Sequence, residues 1–585
     1  MSDLSRRTAA VLLCLCVLLG LGLRSVGLDA LLPCGINPDG NLIPEQVEML
    51  REDYVDPDGV SSWQMYPHLI AEIVALFPGH ERAGNTLRDH LEAARAPFLE
   101  VRRMVALLSL LAIPATYWIA RHFLSRAGSV LAALLAATSL LALLFSQQAR
   151  PHAPAAAFAA LSVAAALELA RRPTWVSVLL AGLALGLAIG TLQSGVACAL
   201  PIAAAWWLRD RDEADPAHRW GGPLAGLVLA FGIAWMLYPH RAPSGAGTES
   251  ASAVLGGLVP FSGASPQDVR GVTGHNLHLD RFDGGGFATV GSTLLSYEPL
   301  VLTLALIGLA LGARSLWRCG VGNGRRRDVA ITAAYVVPYL VAIGAYEETF
   351  ERFCLQLLPF AACLAAAAWE RVAMRTTPAT ALALAAAVGA QPLCSAVAMQ
   401  RARMQSSGAE ELAAWIEREI SPETQRVLLL PGVDVPLARS AASLGDDATA
   451  PWTTRWILYQ RKHVDAAWDA VRYDLRHSPL RKTQDCMASL EDPIGAARRG
   501  EATHVALIQP PPLRAETPAL RLARTFEAAL QSQAVLEFST PEREAEPGAT
   551  LAMDLNFHPG DPIWALALLT EPVVFGPKFA LYRLK

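Results

Sequence analysis

Long apolar runs recur over the first 400 residues of this chain, and they limit its fold more than any other feature. A helix that crosses a bilayer needs about 20 mostly apolar residues. Runs of this kind occupy residues 8–28, 101–120, 127–146, 154–170, 175–192, 194–208, 221–239, 294–312, 328–345, 353–370 and 378–398. They predict a polytopic α-helical membrane protein with about eleven transmembrane helices.

The positions of the arginines predict the orientation, because cytoplasmic loops are enriched in Lys and Arg. With a cytoplasmic N-terminus, the inner segments carry Arg6, Arg7, Arg121, Arg126, Arg171, Arg172, Arg209, Arg211, Arg219, Arg314, Arg318, Arg325, Arg326, Arg327, Arg371 and Arg375. The short outer loops carry only Arg150 and Arg352. The first run lacks a small-residue cleavage site and Arg24 interrupts its end, so it is expected to be an anchor and not a signal peptide. We expect a protein integral to the plasma (inner) membrane.

Two domains are predicted on this basis. Residues 1–400 form the membrane domain, with outer loops at 29–100 and 240–293. An odd number of spans places residues 401–585 outside, as a soluble extracytoplasmic α/β domain. In that domain LAAWIEREI (412–420) has helical spacing. Short apolar runs at RVLLLPG (426–432), THVALIQPPP (503–512) and KFALYRLK (578–585) read as strands.

Composition excludes some classes of partner and site. Hydrophobic residues make up 53% of the chain, charged residues 17%, and the net charge is −4, which argues against a nucleic-acid partner and favours membrane lipids. The nine cysteines form no CxxC pair or Cys/His cluster. Neither a disulfide framework nor a thiolate zinc site is therefore indicated.

The stretch INPDGNLIPEQVEML (36–50) follows the first apolar run. Pro44 predicts the first position of a helix, with Glu45 and Glu48 as acids near its start. Asp39 lies too far upstream to cap that helix, so an extended segment that turns at Gly40 is expected to present it. Asp39 either closes an Asx-turn or serves as a functional carboxylate.

Three further outer stretches carry polar groups. In WQMYPHLIAEIVALF (63–77), Trp63 and Tyr66 are expected to anchor a surface helix at the membrane interface. In SQQARPHAPAAAF (146–158), Arg150 is either a snorkelling anchor or a phosphate ligand. In AYEETFERF (345–353), Arg352 either pairs with a local acid or binds an anion.

The long loop carries His240 and the segment GHNLHLDRFDGGG (274–286). His275 and His278 with two nearby carboxylates are the one place where a divalent metal is considered. No cofactor is predicted elsewhere, and no metal ligand is assigned.

Taken together, the outer face gathers a carboxylate and several arginines. Arginine binds phosphate bidentately, and a carboxylate can take a proton from an acceptor hydroxyl. This combination suits an enzyme that takes a group from a lipid phosphate.

The order of short motifs is similar to that of lipid-carrier-dependent GT-C glycosyltransferases, specifically bacterial relatives of protein O-mannosyltransferases and aminoarabinose transferases (glycosyltransferase family 39-like). The matching segments are NPDGN (37–41), YPH (66–68), VRRMVALL (101–108), ARHFLSRAG (120–128), SQQARPHA (146–153), AGLALGLAIGTLQSG (181–195), ERFCLQLLPF (351–360), LAAWIEREI (412–420) and FGPKFALYRLK (575–585). Each is short and degenerate, but together they extend over almost the whole chain.

The resemblance implies a GT-C-like fold and transfer of a hexosyl or pentosyl group, with inversion, from a polyprenyl-phosphate carrier to a protein, lipid or polysaccharide on the outer face. It implies that Asp39 activates the acceptor as the catalytic base. It also implies that the carrier phosphate and substrate are bound by Arg102, Arg103, Arg150, His152, His240, His275 and Arg352.

Two departures from the family pattern keep alternatives open. Gly40 replaces the usual second acid after Asp39, and His152 replaces the acid of the outer ARPD turn. A catalytically inactive scaffold in envelope glycan assembly is the first alternative. A transporter of lipid-linked glycans is disfavoured, because the predicted spans hold almost no charge apart from Glu168.

Overall fold

A computed structural model describes residues 4–34, 38–52, 63, 65–79, 84–209, 216–237, 268–270, 276–278, 281–318, 323–430, 432–446, 455–464, 468–477, 493–509, 518–540, 550–553 and 561–585. Contacts divide the chain into two compact units. The first unit consists of Met1–Leu28, Leu42–Gly79 and Glu100–Val397. The second consists of Asp29–Asn41, His80–Leu99 and Ala398–Lys585. The assignment of two early segments to the second unit was not predicted from the sequence.

Helices dominate the chain up to residue 403. They are α1 (Arg6–Ser25), α2 (Leu42–Glu52), α3 (Leu69–Ala75), α4 (Leu87–Ser109), α5 (Ala112–Arg121), α6 (Arg126–Thr138), α7 (Leu140–Ser146), α8 (His152–Arg171), α9 (Trp175–Thr191), α10 (Ala199–Leu208), α11 (Pro216–Met236), α12 (Gly286–Tyr297), α13 (Pro299–Arg318), α14 (Asn323–Ala345), α15 (Leu358–Ala373) and α16 (Pro378–Arg403). Short 3-10 helices cover Pro38–Asn41, Gln193–Cys198 and Glu351–Leu357. A two-stranded hairpin pairs β1 (Asp268–Arg270) with β2 (Asn276–His278).

The described helices confirm an integral membrane protein. By length and composition, 6 of them can cross a bilayer: Arg6–Ser25, Leu87–Arg121, His152–Arg171, Gly324–Ala345, Glu351–Ala373 and Pro378–Glu419. The number rises to 8 if the bent pairs α6–α7 (49°) and α12–α13 (117°) each count as one span. Three shorter apolar helices cover Trp175–Thr191, Gln193–Leu208 and Gly222–Met236. The predicted number of eleven spans is therefore not confirmed among the described residues.

Small residues let the membrane helices pack closely, as expected where lipid offers no hydrophobic driving force between helices. Helix α9 lies against α11, where a Cβ added at Gly182 would be 2.5 Å from the carbonyl oxygen of Gly226. Helix α13 lies against α15, where a Cβ added at Gly308 would be 2.0 Å from the carbonyl oxygen of Leu364. Both glycines are thus required by backbone contact.

The second unit contains a five-stranded sheet. Its strands are β3 (Arg426–Leu429), β4 (Asp474–His477), β5 (His504–Ile508), β6 (Ala534–Ser539) and β9 (Phe579–Leu584). They lie in the order β4–β3–β5–β9–β6, with β4, β3 and β5 parallel and β9 antiparallel to both of its neighbours. The predicted strands at 426–432, 503–512 and 578–585 are therefore the three central strands.

The remaining elements of this unit complete an α/β arrangement. They are α17 (Gly408–Glu419), α18 (Ala441–Asp446), α19 (Arg455–Lys462), α20 (Pro493–Arg499), α21 (Pro518–Gln533), α22 (Trp564–Thr570) and the parallel pair β7 (Leu551–Met553) and β8 (Val573–Phe575). Helix α17 begins with a capping box between Ser407 and Glu410. Leu412 and Ile416, one turn apart on α17, are fully buried, as the helical spacing predicted.

The segment after the first helix differs from the prediction in one respect. Pro38–Asn41 forms a 3-10 helix, not an extended turn, and α2 begins at Leu42, not at Pro44. Pro44 is still tolerated because it lies in the first turn, where a backbone N–H has no helical partner. The local turn at Gly40 continues directly into α2 and leaves no extended segment.

Candidate active site

Four side chains of the first unit are joined by successive ring contacts, and we call them the Phe353 cluster: Tyr66, His152, Phe353 and Arg352. The imidazole of His152 lies 6.0 Å from the Phe353 ring and 6.2 Å from the Tyr66 ring, measured between centroids. The Arg352 guanidinium carbon lies 5.4 Å from the Phe353 centroid. Two groups that the sequence places 200 positions apart, His152 and Arg352, therefore share one aromatic ring.

The loop that carries Tyr66 is held by side-chain amides. Gln46 donates to the carbonyl oxygens of Trp63 (3.3 Å) and Tyr66 (3.0 Å), and Gln193 donates to that of Met65 (3.2 Å). The backbone N–H of His68 donates to Leu237 (2.8 Å). These bonds fix the YPH motif on its neighbours.

Phe353 lies on the 3-10 helix Glu351–Leu357, which is anchored from α14. The Tyr339 hydroxyl donates to the Phe353 carbonyl oxygen (3.1 Å), and the Tyr335 hydroxyl donates to the side-chain oxygen of Gln356. Gln356 in turn donates to Ser194 (3.1 Å). The backbone under the cluster is therefore positioned by buried polar contacts.

Arg150 lies on the turn between α7 and α8, His152 is the first residue of α8, and both are almost fully buried, at 2% and 4% exposure. Gln147, at the start of this turn, donates to three carbonyl oxygens at the end of α1, those of Leu23, Arg24 and Val26. Burial excludes the snorkelling alternative for Arg150, because a snorkelling side chain keeps its charge in water. The turn instead holds Arg150 and His152 inside the protein.

Arg102 and Arg103 are adjacent on α4 and differ in their surroundings. Arg102 is buried and donates to the carbonyl oxygen of Leu28 (2.7 Å), whereas Arg103 is exposed. Neighbouring positions on a helix are about 100° apart, so the two side chains do not share a face. The structure therefore does not present them as a pair.

The surroundings of Trp63 and Tyr66 correct one expectation, and those of Arg352 add a contact that was not predicted. Trp63 (2% exposed) and Tyr66 (3%) are buried in protein, so they do not anchor a surface helix in the lipid interface. Arg352 lies over the rings of Phe350 (4.1 Å) and Phe353, while the nearby acid Glu348 pairs with Arg281. The aromatic contact of Arg352 is a cation–π interaction that the sequence did not indicate.

Three predicted site residues cannot be placed. Of Asp39 only the backbone is described, within Pro38–Asn41 of the second unit; its side chain lies outside the described part of the structure. His240 and His275 lie outside the described residues altogether. Within the described ranges, no group of three or more His, Cys, Asp or Glu side chains is arranged to hold a metal ion.

Two buried charged side chains of the first unit were not predicted as functional candidates; Arg24 was noted only as interrupting the first apolar run, and Glu298 was missed. Arg24, at the end of α1, is 1% exposed, and Glu298, at the bend between α12 and α13, is 3% exposed. The predicted spans 8–28 and 294–312 therefore hold these two charges in addition to Glu168 in span 154–170. Both lie inside apolar runs, and a count of charges at each position of those runs would have found them.

Comparison with known proteins supports the predicted resemblance over part of the chain. Residues 62–238 match the family model of the dolichyl-phosphate-mannose-protein mannosyltransferases. This segment is less than a third of the chain and contains Tyr66, Arg102, Arg103, Arg150 and His152. No curated protein is significantly similar to the chain in sequence.

Among solved structures, the oligosaccharyltransferase of Archaeoglobus fulgidus has a TM-score of 0.49 at 12% identity, covering 95% of this chain and 75% of its own. ArnT of Cupriavidus metallidurans, in a structure bound to undecaprenyl phosphate, has a TM-score of 0.43 at 12% identity, covering 86% and 94%. The Pmt1–Pmt2 complex of S. cerevisiae has a TM-score of 0.32 at 18% identity, covering 41% and 33%. These likenesses are too low to assign a function. The family match confirms, over residues 62–238, the predicted resemblance to lipid-carrier-dependent glycosyltransferases of the GT-C type.

Proposed function

We propose that this protein is a membrane glycosyltransferase that moves a sugar from a polyprenyl-phosphate carrier to an acceptor on the outer face of the plasma membrane, with inversion. The observation that carries the proposal is the packing of His152, from the segment that matches the mannosyltransferase family, onto Phe353 beside Arg352.

The Phe353 cluster has the chemistry of an anion site. Arg352 lies against the rings of Phe350 and Phe353, and a guanidinium matches the geometry of phosphate oxygens. Arg150, two positions before His152 in the chain, is a second cation, and it is buried. A positive charge held where negative charge develops on the carrier phosphate makes that phosphate a better leaving group.

The proposed reaction needs a base as well as an anion site. The Asp39 carboxylate would take the proton of the acceptor group while that group attacks the anomeric carbon of the sugar. The bond from that carbon to the carrier phosphate oxygen breaks, and the phosphate leaves with both electrons of the bond. Attack from the side opposite the leaving phosphate inverts the anomeric centre.

The test is turnover by the purified full-length protein of a panel of polyprenyl-phosphate sugars, with release of polyprenyl phosphate as the readout. We expect Asp39→Asn to lower the rate by about 100-fold or more, the usual contribution of a general base. Glu48→Gln is the matched control, because Glu48 is an acid within α2, outside the segment that carries Asp39. Activity that survives in Asp39→Asn would remove Asp39 as the base.

The scaffold alternative is favoured by Gly40 and His152, which stand where the family has acids. It predicts that the wild-type protein binds polyprenyl phosphate but releases none from any sugar donor in the panel. Turnover of a single donor by the wild type would exclude it.

A further inference from the structure

Glu298 joins the two bent helix pairs of the first unit. It lies at the corner between α12 and α13, which are bent by 117°. Its backbone belongs to both helices, because its N–H donates to the carbonyl oxygen of Leu294 (2.9 Å) and its carbonyl oxygen accepts from the N–H of Leu302 (2.8 Å). The bend therefore fixes the backbone of Glu298, and its side chain extends to another helix.

The side chain of Glu298 reaches the start of α7, in the other bent pair. One carboxylate oxygen accepts from the Ser139 hydroxyl (2.6 Å) and from the N–H of Leu141 (3.2 Å). Ser139 is the N-cap of α7, and its hydroxyl oxygen accepts from the N–H of Ala142 (3.2 Å). The first N–H groups of a helix have no partner within it. One local and one distant side chain therefore satisfy two of them here.

Helix α7 depends on this cap because it is short and deeply buried. It has 7 residues, and Leu141, Leu144 and Phe145 are 0% exposed. A bilayer offers no water to replace a lost acceptor, and a carboxylate at a helix N-terminus interacts favourably with the helix dipole. Glu298 therefore fixes the first turn of α7.

Helix α7 leads directly into the turn that carries Arg150 and His152. At about 1.5 Å per residue, it separates that turn from its own first turn by about 10 Å. At the far end, Gln147 donates to carbonyl oxygens at the end of α1, and His152 contacts the Phe353 ring. A helix of this length moves as one body, so a shift of its first turn also displaces the turn that follows it.

We propose that Glu298 is a positioning residue: by holding the first turn of α7, it fixes the location of Arg150 and His152. The described contacts of Glu298 include neither of these side chains, so it acts through α7 and is not a catalytic residue. Its effect on sugar transfer rests on the proposed function, whereas its effect on the turn does not.

Helix α6, the other half of the same bent pair, provides a matched control. Both carboxylate oxygens of Glu370 lie 3.2 Å from the backbone nitrogen of Ser125, which donates to them and is the N-cap of α6. The two acids thus make the same kind of contact at the starts of successive helices. In the chain, α6 and α7 both separate the Glu370 contact from His152, so only Glu298 is expected to act on the turn.

The first experiment follows the turn without any sugar donor. Purified full-length wild type, Glu298→Leu, Glu298→Gln and Glu370→Leu are compared by mass-spectrometric hydrogen exchange of residues 140–150. Glu298→Leu should speed exchange there by about tenfold or more, because a buried N–H loses a charged acceptor. Glu298→Gln keeps an acceptor oxygen and should stay within about threefold of wild type. Glu370→Leu should leave this segment unchanged.

The second experiment measures release of polyprenyl phosphate by the same variants at several donor concentrations. Glu298→Leu should lower kcat by about 10-fold to 100-fold, the effect of a small misplacement of groups that act on the leaving phosphate. It should also raise the KM for the donor by about threefold or more, whereas a loss of folded protein lowers the apparent kcat alone. Glu298→Gln should recover most of the rate, and Glu370→Leu should keep the wild-type KM.

Ser139→Ala replaces Glu298→Leu if the latter does not fold. It removes the hydroxyl that joins Glu298 to the cap, and it should speed exchange of residues 140–150 by about threefold or more.

Three results would overturn the proposal: wild-type exchange in Glu298→Leu or its replacement, the same increase in Glu298→Gln or Glu370→Leu, and faster exchange with an unchanged KM. A wild type that transfers no sugar would overturn the proposed function alone, because exchange is measured without a donor.

Discussion

At the scale of single residues, the ring of Phe353 organises the candidate site. It contacts the imidazole of His152 and the guanidinium of Arg352, whereas the described contacts of Phe350 are with Arg352 and Phe353. Phe350 is also 46% exposed. Substituting each ring in turn therefore separates the effect of the His152–Phe353 contact from the effect of the cation–π contact of Arg352.

Phe353→Leu should lower the kcat/KM for sugar transfer by about fivefold to thirtyfold, because a desolvated cation–π contact contributes about 1–2 kcal/mol. Phe350→Leu should have a smaller effect, since His152 keeps its ring contact. The measurement is release of polyprenyl phosphate at several donor concentrations. Equal losses in the two variants would mean that Phe353 has no role in holding His152.

A second residue-scale prediction concerns pH. The pKa of the His504 imidazole is lowered from 6.5, because burial disfavours the cation by more than Glu537 favours it. The unfolded chain therefore binds this proton at higher pH than the folded chain. The contribution of His504 to stability is present in full above about pH 6.5 and is lost as the pH falls through the lower, folded pKa.

Between pH 7.5 and 5 we expect faster amide hydrogen exchange in β5 and β9 of the wild type, and a smaller pH effect in His504→Gln. The readout is mass-spectrometric hydrogen exchange, corrected for the intrinsic pH dependence of exchange. The same pH effect in both proteins would assign the change to another group.

At the scale of elements, breaks in the membrane helices are held by specific groups. Between α6 and α7, Arg24 binds the carbonyl oxygen of Ala137, and Glu298 accepts from the N–H of Leu141. A break leaves backbone groups without helical partners, and in a bilayer no water satisfies them. The two buried charges therefore explain why a 49° bend is tolerated there.

Helix α13 offers a matched pair for testing close packing. Gly308→Ala should lower the thermal unfolding temperature, because the added Cβ would meet backbone at 2.0 Å and force the helices apart, at a cost of about 1–3 kcal/mol. Gly312→Ala, one turn later, meets no atom within 4 Å and should be neutral or slightly stabilising. If Gly308→Ala unfolds at the wild-type temperature, the two helices are not packed as described.

At the scale of the whole molecule, each unit has its own architecture. Helices dominate the first unit, and a five-stranded sheet forms the centre of the second. The predicted domains, 1–400 and 401–585, remain a prediction, and so does their placement across the membrane. Orientation follows from the loop arginines alone.

Fusions of alkaline phosphatase test that orientation, because the enzyme is active only outside the cytoplasm. A fusion after Lys585 should be active, and a fusion after Arg172 should be inactive. Green fluorescent protein fused at the same positions should give the opposite pattern. Activity after Arg172 together with inactivity after Lys585 would invert the predicted topology.

The sequence predicted more of the fold than of the site. Helical character, the central strands β3, β5 and β9, and helix α17 follow from local hydrophobic spacing. The outer turn with Arg150 and His152 was identified as a functional candidate, but its burial was not. Glu298 was passed over, and Arg24 was noted only as interrupting the first run, because an apolar average over 20 residues hides the importance of a single charge.

Apolar run length by itself determined that this chain is a membrane protein, because about 20 apolar residues in a row are stable as a helix in lipid whatever their neighbours are. The positions of strands and helices in the last third of the chain were likewise predicted from local hydrophobic spacing. Only the tertiary structure decided that His152 and Arg352 share Phe353 and that Glu298 reaches the start of α7. Those contacts join residues far apart in the chain, and they depend on which helix faces pack together, which no local pattern specifies.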